Sequence, residues 1–390
     1  MPIATKAFAT SGTPQILCLH SINMRIFVAG TRGIPAIPGG IEKHCEMLYP
    51  LIARRGHEIV LATRSPYVSN WMQEWRGVRL IRTFSPRTKH LEAIVHTLFA
   101  LMKARWHSPD IVHIHAVGPA LLTPLARLSG LRVVVTHHGS DYERAKWGRA
   151  ARFVLRLGEI LGGRYASEVI AISKSIADLV KRRCDRDPHL IYNGVRIPQR
   201  SAATDFLQRI GVVPGGYVLT VARFVPEKGL NDLLNAFRGV NGQCQLVIAG
   251  DADHETPYSR KLRETAAHDG RVVLTGYVTG EPLHQLYSHA RLFVLASHHE
   301  GLPIALLEAM SYGLSVLASD IPANRELDLP AERYFRCGHV RGLQERIETL
   351  VHKELAATER QAMQAKLQEL YDWERIAEQT IEVYEKALLA

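Results

Sequence analysis

Residues 295–326 read LASHHEGLPIALLEAMSYGLSVLASDIPANRE, and the reading of this stretch decides the fold. An apolar run, RLFVLA, leads into it from Arg291, and a second, LSVLASD, leaves it from Leu314. Between them IALLEAM has the composition of a helix and begins directly after Pro303. The unit is therefore strand, turn, helix, strand. Unpaired N–H groups and the positive end of the helix dipole collect at such a turn, which suits it to phosphate. Glu300 and Glu308, with seven residues between them, put one carboxylate in the turn and one on the helix.

The same alternation extends in both directions. MRIFVAG, EIVLAT, VRLIRT, DIVHIHA, LRVVVTHH and SEVIAIS form a first series of strands with helical stretches between them. GYVLTVA, CQLVIAG, RVVLTG, RLFVLA and LSVLAS form a second. Short apolar runs alternating with amphipathic ones mark βαβ units and parallel sheets. The expected fold is α/β, with two doubly wound Rossmann-like domains facing a cleft. Residues 1–23 read as a disordered extension, 24–193 as the first domain and 194–215 as the connection. Residues 216–370 read as the second domain, and 371–390 as a helix packing back on the first. Ligands of such sheets bind outside the carboxyl ends of the strands.

A chain of 390 residues fits two domains of ordinary size. Apolar content of 46% and charged content of 22% are those of globular chains. The net charge of +10 favours anionic partners such as nucleotides or phospholipid surfaces. No RRM, KH or helix-turn-helix pattern accompanies it, so nucleic acid is not expected. The five cysteines are scattered and form no C-x-x-C pair, which suits reduced thiols in a cytoplasmic protein. No apolar run reaches the roughly 18 to 20 residues that span a bilayer, and no signal-peptide pattern opens the chain.

Several loops carry candidate chemistry. Gly30–Gly40 lacks the G-x-G-x-x-G spacing of a dinucleotide site, and the second strand ends in Arg64 where that site wants an acid. Gly39 and Gly40 read instead as flexible backbone at a helix start, close to a pyrophosphate or a sugar. His113 and His115 share a strand face, but no H-E-x-x-H or Cys/His spacing supports zinc, so no metal site is assigned. Of His137 and His138, alternation lets only one point into the cleft. Arg223 ends a strand and Lys228 falls just inside the next helix, where the two cations can clamp a diphosphate. Asp251 and Asp253 offer spaced carboxylates but read as a polar loop. The stretch Arg144–Tyr165 is a basic amphipathic helix, suited either to an anionic membrane surface or to packing on the sheet with a charged outer face.

Taken in order, PGGIEKH, THHG, IAISKS, YNGV, VARFVPEKG and EGLPIALLEAM resemble the motifs of retaining glycosyltransferases of family four, which have the GT-B fold. The resemblance covers Met24 to Leu389, and its most specific part is the E-x7-E pattern of Glu300 and Glu308. It implies that Glu308 binds the ribose of a nucleoside-diphosphate sugar. The turn at Leu302, Pro303 and Ile304 would face the phosphates, Pro303 lacking an N–H. Arg223 and Lys228 would neutralise the diphosphate leaving group, and Gly39 and Gly40 would approach it from the other domain. His138 would contact the donor sugar, and Glu300 would sit near the transferred sugar. No cofactor is implied beyond the donor, and metal independence is expected. GTRGIPAIPGGIEKH also looks like the amino-terminal region of bacterial surface-polysaccharide transferases, which points to a lipid-linked saccharide acceptor. The implied location is cytoplasmic, at the inner face of the plasma membrane if the basic helix docks there. The alternatives are a nucleotide-sugar enzyme without a lipid acceptor, of the epimerase or sucrose and trehalose synthase type, and a non-catalytic nucleotide-sugar-binding protein.

Overall fold

The computed structural model describes residues 23–68, 71–86, 92–143 and 147–390. The expectation for residues 1–23 therefore lies outside the described residues except at Asn23, as does the Arg144–Lys146 start of the basic stretch.

The first sheet has eight strands: β1 (Arg25–Ala29), β2 (Glu58–Arg64), β3 (Glu74–Trp75), β4 (Val78–Thr83), β5 (Ile111–His115), β6 (Val133–His137), β7 (Glu168–Ala171) and β8 (His189–Leu190). Their spatial order is β3-β4-β2-β1-β5-β6-β7-β8, and only the β3–β4 pair is antiparallel. The second sheet comprises β9 (Tyr217–Val221), β10 (Gln245–Ala249), β11 (Val272–Gly276), β12 (Leu292–Leu295), β13 (Ser315–Ser319) and β14 (Tyr334–Phe335). Its order is β11-β10-β9-β12-β13-β14, parallel throughout. In each sheet the chain runs outward from one central strand and then returns to that strand's other side. The resulting switch points lie between β1 and β5 and between β9 and β12, where a crevice opens at the strand ends.

The central strands are buried on both faces, which is why they read as unbroken apolar runs. One face of the first sheet packs Phe27, Val112 and Val135 with Ala100 and Ala104 of the Glu92–His107 helix. The other packs Ile26, Val28 and Val134 with Leu48 and Ile52 of the Gly40–Arg54 helix and Ile376 and Tyr384 of the Trp373–Leu389 helix. The last helix of the chain thus lies on the first domain. Gly194 permits this: a Cβ there would come within 2.4 Å of the Trp373 ring. The two chain crossings between domains are held side by side by the Val195 N–H, which donates to the Tyr371 carbonyl at 2.8 Å. Beyond the crossing, residues Asp205–Arg209 are helical, and Phe206 and Leu207 are already buried.

Candidate active site

Lys228 does not lie inside the helix that follows β9. It sits in a 3-10 turn, Pro226–Lys228, because Gly229 takes a left-handed conformation (φ 62°) and the helix starts only at Leu230. A Cβ at Gly229 would fall 2.0 Å from the Ala296 carbonyl, so only glycine lets this turn lie against the end of β12. The His298 N–H then donates to the Glu227 carbonyl at 2.8 Å. This docking brings the Lys228 ammonium within 2.6 Å of the Glu300 carboxylate, which also accepts from Ser297 Oγ at 2.6 Å. The pair is mostly shielded from solvent. Arg223 is likewise held, its Nη1 3.0 Å from Asp253 Oδ2, while Asp251 pairs with Arg263. Both aspartates are therefore occupied by guanidinium groups.

Beyond Glu300 the chain enters the Ile304–Ser311 helix with Pro303 as its cap residue. Helix geometry leaves the N–H groups of Ile304 and Ala305 without intrahelical acceptors. Leu302 and Pro303 are buried, so Leu302 anchors the turn in the core. Glu308 lies one turn along and accepts from the Tyr287 hydroxyl at 3.1 Å. Burial pushes the Glu308 carboxyl above its usual range, and the Lys43 ammonium and that hydroxyl oppose the shift. Lys43 belongs to the first domain, so this carboxylate already feels both walls of the cleft.

The first domain meets that wall backbone to backbone. A Cβ at Gly301 would lie 2.2 Å from the His138 carbonyl, and one at Gly139 would lie 3.4 Å from the Gly301 Cα. Gly40 faces the Ile304 Cδ1 at 3.6 Å from its own would-be Cβ. Gly39 has φ 146°, and a side chain there would strike the Glu42 carboxylate and the Arg32 guanidinium, whose ion pair (3.1 Å) shapes the loop. Polar contacts also cross between domains: His299 Nδ1 to Glu143 Oε2 at 3.2 Å, and Glu326 accepting from the N–H groups of Lys174 and Ser175 at 2.8 and 2.7 Å.

His137 and His138 part as alternation requires. His137 turns inward to the buried Glu159 (3.0 Å), while His138 stays half-buried beside Gly301. His138 Nε2 is 2.8 Å from His115 Nδ1. Burial, and then the neighbouring His44, push His138 well below the ordinary imidazole value, so the ring is neutral near pH 7. His44 joins these two, and one ligand nitrogen from each of the three rings lies within 4.8 Å of the others. The His115 nitrogens are both engaged, one by His138 and one by Tyr49. Of these three, the sequence reading marks His115 and His138 but not His44. It also passed over Lys43, Ser297 and Glu326, although Lys43 stands within the PGGIEKH run that carries Gly39 and Gly40.

The Arg149–Tyr165 helix packs on the first domain and keeps a charged outer face, the second of the two expected alternatives. Gly158 and Gly162 bury its inner face against Val117 and Ala120, while Arg149, Arg152, Phe153 and Arg156 are exposed. On the same side of the sheet, the Glu92–His107 helix exposes Leu98, Phe99, Met102 and Trp106, an apolar stripe that the sequence reading did not single out. No helix among the described residues is long and apolar enough to cross a membrane.

Two doubly wound domains with their switch points face to face define the GT-B architecture. Sucrose-phosphate synthase from Thermosynechococcus elongatus has the same fold, with a TM-score of 0.80 at 21% identity over 93% of this chain and 98% of that one. Residues 38–197 match the family model for Glycosyltransferase Family 4, and residues 213–369 match that for Glycosyl transferases group 1. Together the two models cover most of the chain, which belongs to this glycosyltransferase family. It is 30% identical over 226 residues to the GDP-mannose:cellobiosyl-diphosphopolyprenol alpha-mannosyltransferase of Xanthomonas oryzae pv. oryzae. That match takes in 55% of this chain and spans little more than half of the relative, 57%. It is 27% identical over 326 residues to the UDP-Gal:alpha-D-GlcNAc-diphosphoundecaprenol alpha-1,3-galactosyltransferase of Escherichia coli, covering 78% of this chain and 82% of that one.

Proposed function

We propose that the chain transfers a hexose from a nucleoside-diphosphate sugar to a hydroxyl of a lipid-linked saccharide in surface-polysaccharide assembly, with the anomeric configuration retained. The observation that carries this reading is the meeting of the Gly40 and His138 backbone with Ile304 and Gly301 across the cleft. It sets a phosphate-suited helix start, two cations and two glutamates against the glycine loop of the other domain.

In this reading the ribose hydroxyls donate to Glu308, whose raised proton affinity relaxes once it gains those donors. The diphosphate lies along the first turn of the Ile304–Ser311 helix. Lys228 and Arg223 are held by Glu300 and Asp253 until phosphate oxygens compete for them. Charge builds on the diphosphate as the glycosidic bond breaks, so both cations act more strongly in the transition state than in the ground state. Glu300, beside Ser297, faces the transferred sugar and stabilises positive character at its anomeric carbon. Neutral His138 hydrogen-bonds a sugar hydroxyl. With two cations to neutralise the diphosphate, no metal is required in this reading.

The lipid-linked acceptor draws support from the names of the two relatives, and from the exposed Arg149, Arg152 and Arg156 face on the same side of the sheet as an apolar stripe. The test is release of nucleoside diphosphate from a panel of UDP- and GDP-sugars, in EDTA, with and without a lipid-linked saccharide extract. Release that requires the extract and survives EDTA supports the reading. Release without the extract moves the assignment to an enzyme with another acceptor, and loss in EDTA with rescue by Mn²⁺ removes metal independence.

A further inference from the structure

From His138 a line of hydrogen bonds runs into the core of the first domain. His138 Nε2 meets His115 Nδ1 at 2.8 Å, and His115 Nε2 meets the Tyr49 hydroxyl at 2.5 Å. The Tyr49 hydroxyl is also 3.0 Å from His113 Nδ1, which the Tyr384 hydroxyl reaches more closely, at 2.7 Å. His113 Nε2 ends the line on Thr136 Oγ1 at 2.7 Å. Tyr49, His113, His115 and Tyr384 are fully buried, so none of these groups can turn to water instead.

Counting protons and lone pairs orders the line. Burial pushes His113 down to about 3 and His115 well below the ordinary value, so every ring is neutral and carries one N–H. His113 Nδ1 has a single lone pair, and Tyr384 is nearest to it. The Tyr49 proton then goes to His115 Nε2, the other nitrogen within its reach. His115 must in consequence carry its proton on Nδ1 and donate it to His138 Nε2. The remaining His138 nitrogen is Nδ1, and by this order it holds the proton. The reverse order, with His115 donating to Tyr49 and Tyr49 to the Tyr384 hydroxyl, turns the close 2.5 Å contact into an imidazole-to-phenol bond, weaker than the phenol-to-imidazole bond because the phenol is the better donor and the imidazole nitrogen the better acceptor.

We propose that Tyr384, His113, Tyr49 and His115 form a buried relay that fixes His138 as its Nδ1–H tautomer and so offers an N–H donor to the ligand in the cleft. These four are positioning residues, since they act only through His138. A hydrogen bond from Nδ1–H suits a sugar hydroxyl oxygen; a bare Nδ1 would suit only its proton. The link to transfer rests on the donor-sugar role given to His138 above. The Trp373–Leu389 helix supplies Tyr384, so the segment that returns from the second domain completes the relay.

The test is the ¹⁵N ring spectrum of the full chain labelled at histidine, with nucleotide release measured on the same samples. In the unaltered protein, His138 should show a protonated Nδ1 and a bare Nε2. Tyr49→Phe removes only the donating hydroxyl; it should mix the His138 tautomers and lower kcat about tenfold, the worth of one hydrogen bond, with KM for the donor little changed. Thr136→Val removes another buried hydroxyl of the same cluster but leaves the Tyr49 proton on His115, so His138 and kcat should stay as they were. A His138 protonated at Nε2, or a tautomer indifferent to Tyr49→Phe, overturns the relay. A tautomer change without a fall in nucleotide release upholds the relay and removes His138 from the reaction.

Discussion

Gly301 and His138 belong to different domains, yet a single methyl group on Gly301 would fall 2.2 Å from the His138 carbonyl. The obstacle is backbone, which cannot swing aside as a side chain can. Gly301→Ala should therefore hold the domains apart, and a displacement of about an ångström at a reacting centre costs on the order of 10²-fold in kcat/KM. Because the wedge acts between domains, Tm should fall little. Kinetics of nucleotide release alongside a thermal melt check this, and near-normal kcat/KM would mean that the closed arrangement is not the working one.

Lys228 and Glu300 make a different prediction. On the proposed placement of the diphosphate, Lys228→Ala removes a charge aimed at the leaving group and should lower kcat by about 10² to 10³, the range for losing one preorganised donor to a developing anion. Lys228→Arg keeps the charge on a bulkier group and should recover part of the loss. Arg223→Ala should cost less, since Arg223 and its partner Asp253 are more open to solvent. Steady-state kinetics with saturating donor separate the two, and an unchanged kcat for Lys228→Ala would take it out of the diphosphate site.

The buried histidines set an acid limit. Burial pushes His44 down to about 4 and His113 and His96 down to about 3, against about 6.5 in the unfolded chain. Between those values the unfolded chain binds protons that the folded protein does not, so stability rises with pH across that window. It should be complete above about pH 6.5 and fall steadily toward pH 4. Thermal melts across that range check the sign; a Tm that is flat or rises on acidification would contradict the neutral cluster.

The exposed arginine face predicts membrane behaviour. Replacing Arg149, Arg152 and Arg156 with serine should weaken partition to anionic vesicles by roughly 1 kcal/mol per charge near the surface, with the effect shrinking at high salt. Replacing Phe99 and Trp106 with serine should weaken binding in a manner insensitive to salt, since those side chains contribute apolar area. Vesicle sedimentation distinguishes the two. Equal partition of all variants would leave the Arg149–Tyr165 helix with only its packing role.

The sequence made the domain-level architecture legible because each central strand is a short apolar run buried on both faces. What it hid were the short edge strands: β3, β8 and β14 have two residues each, too few for any periodicity. In the site, Arg223, Lys228, Glu300, Gly39, Gly40 and His138 stand near strand ends and helix starts, where glycine, proline and charge punctuate the pattern, and Glu308 follows one turn into the helix. His44, Tyr49 and Tyr384 carry no such mark. They come together only through strand order and the return of the last helix, and Tyr384 stands 271 positions from the His113 ring it touches. Lys228 was placed within a helix because a single glycine, Gly229, was not read as the break that starts the helix later.

A structure with nucleotide bound, obtained by soaking UDP and GDP in separate experiments, tests the shared cleft most directly. The account predicts ribose hydroxyls on Glu308, phosphates on Lys228, Arg223 and the first turn of the Ile304–Ser311 helix, and the Gly39–Gly40 backbone against the same diphosphate. A nucleotide seated away from Glu308 and Lys228, or held by the second domain with the glycine loop turned from it, would contradict the account.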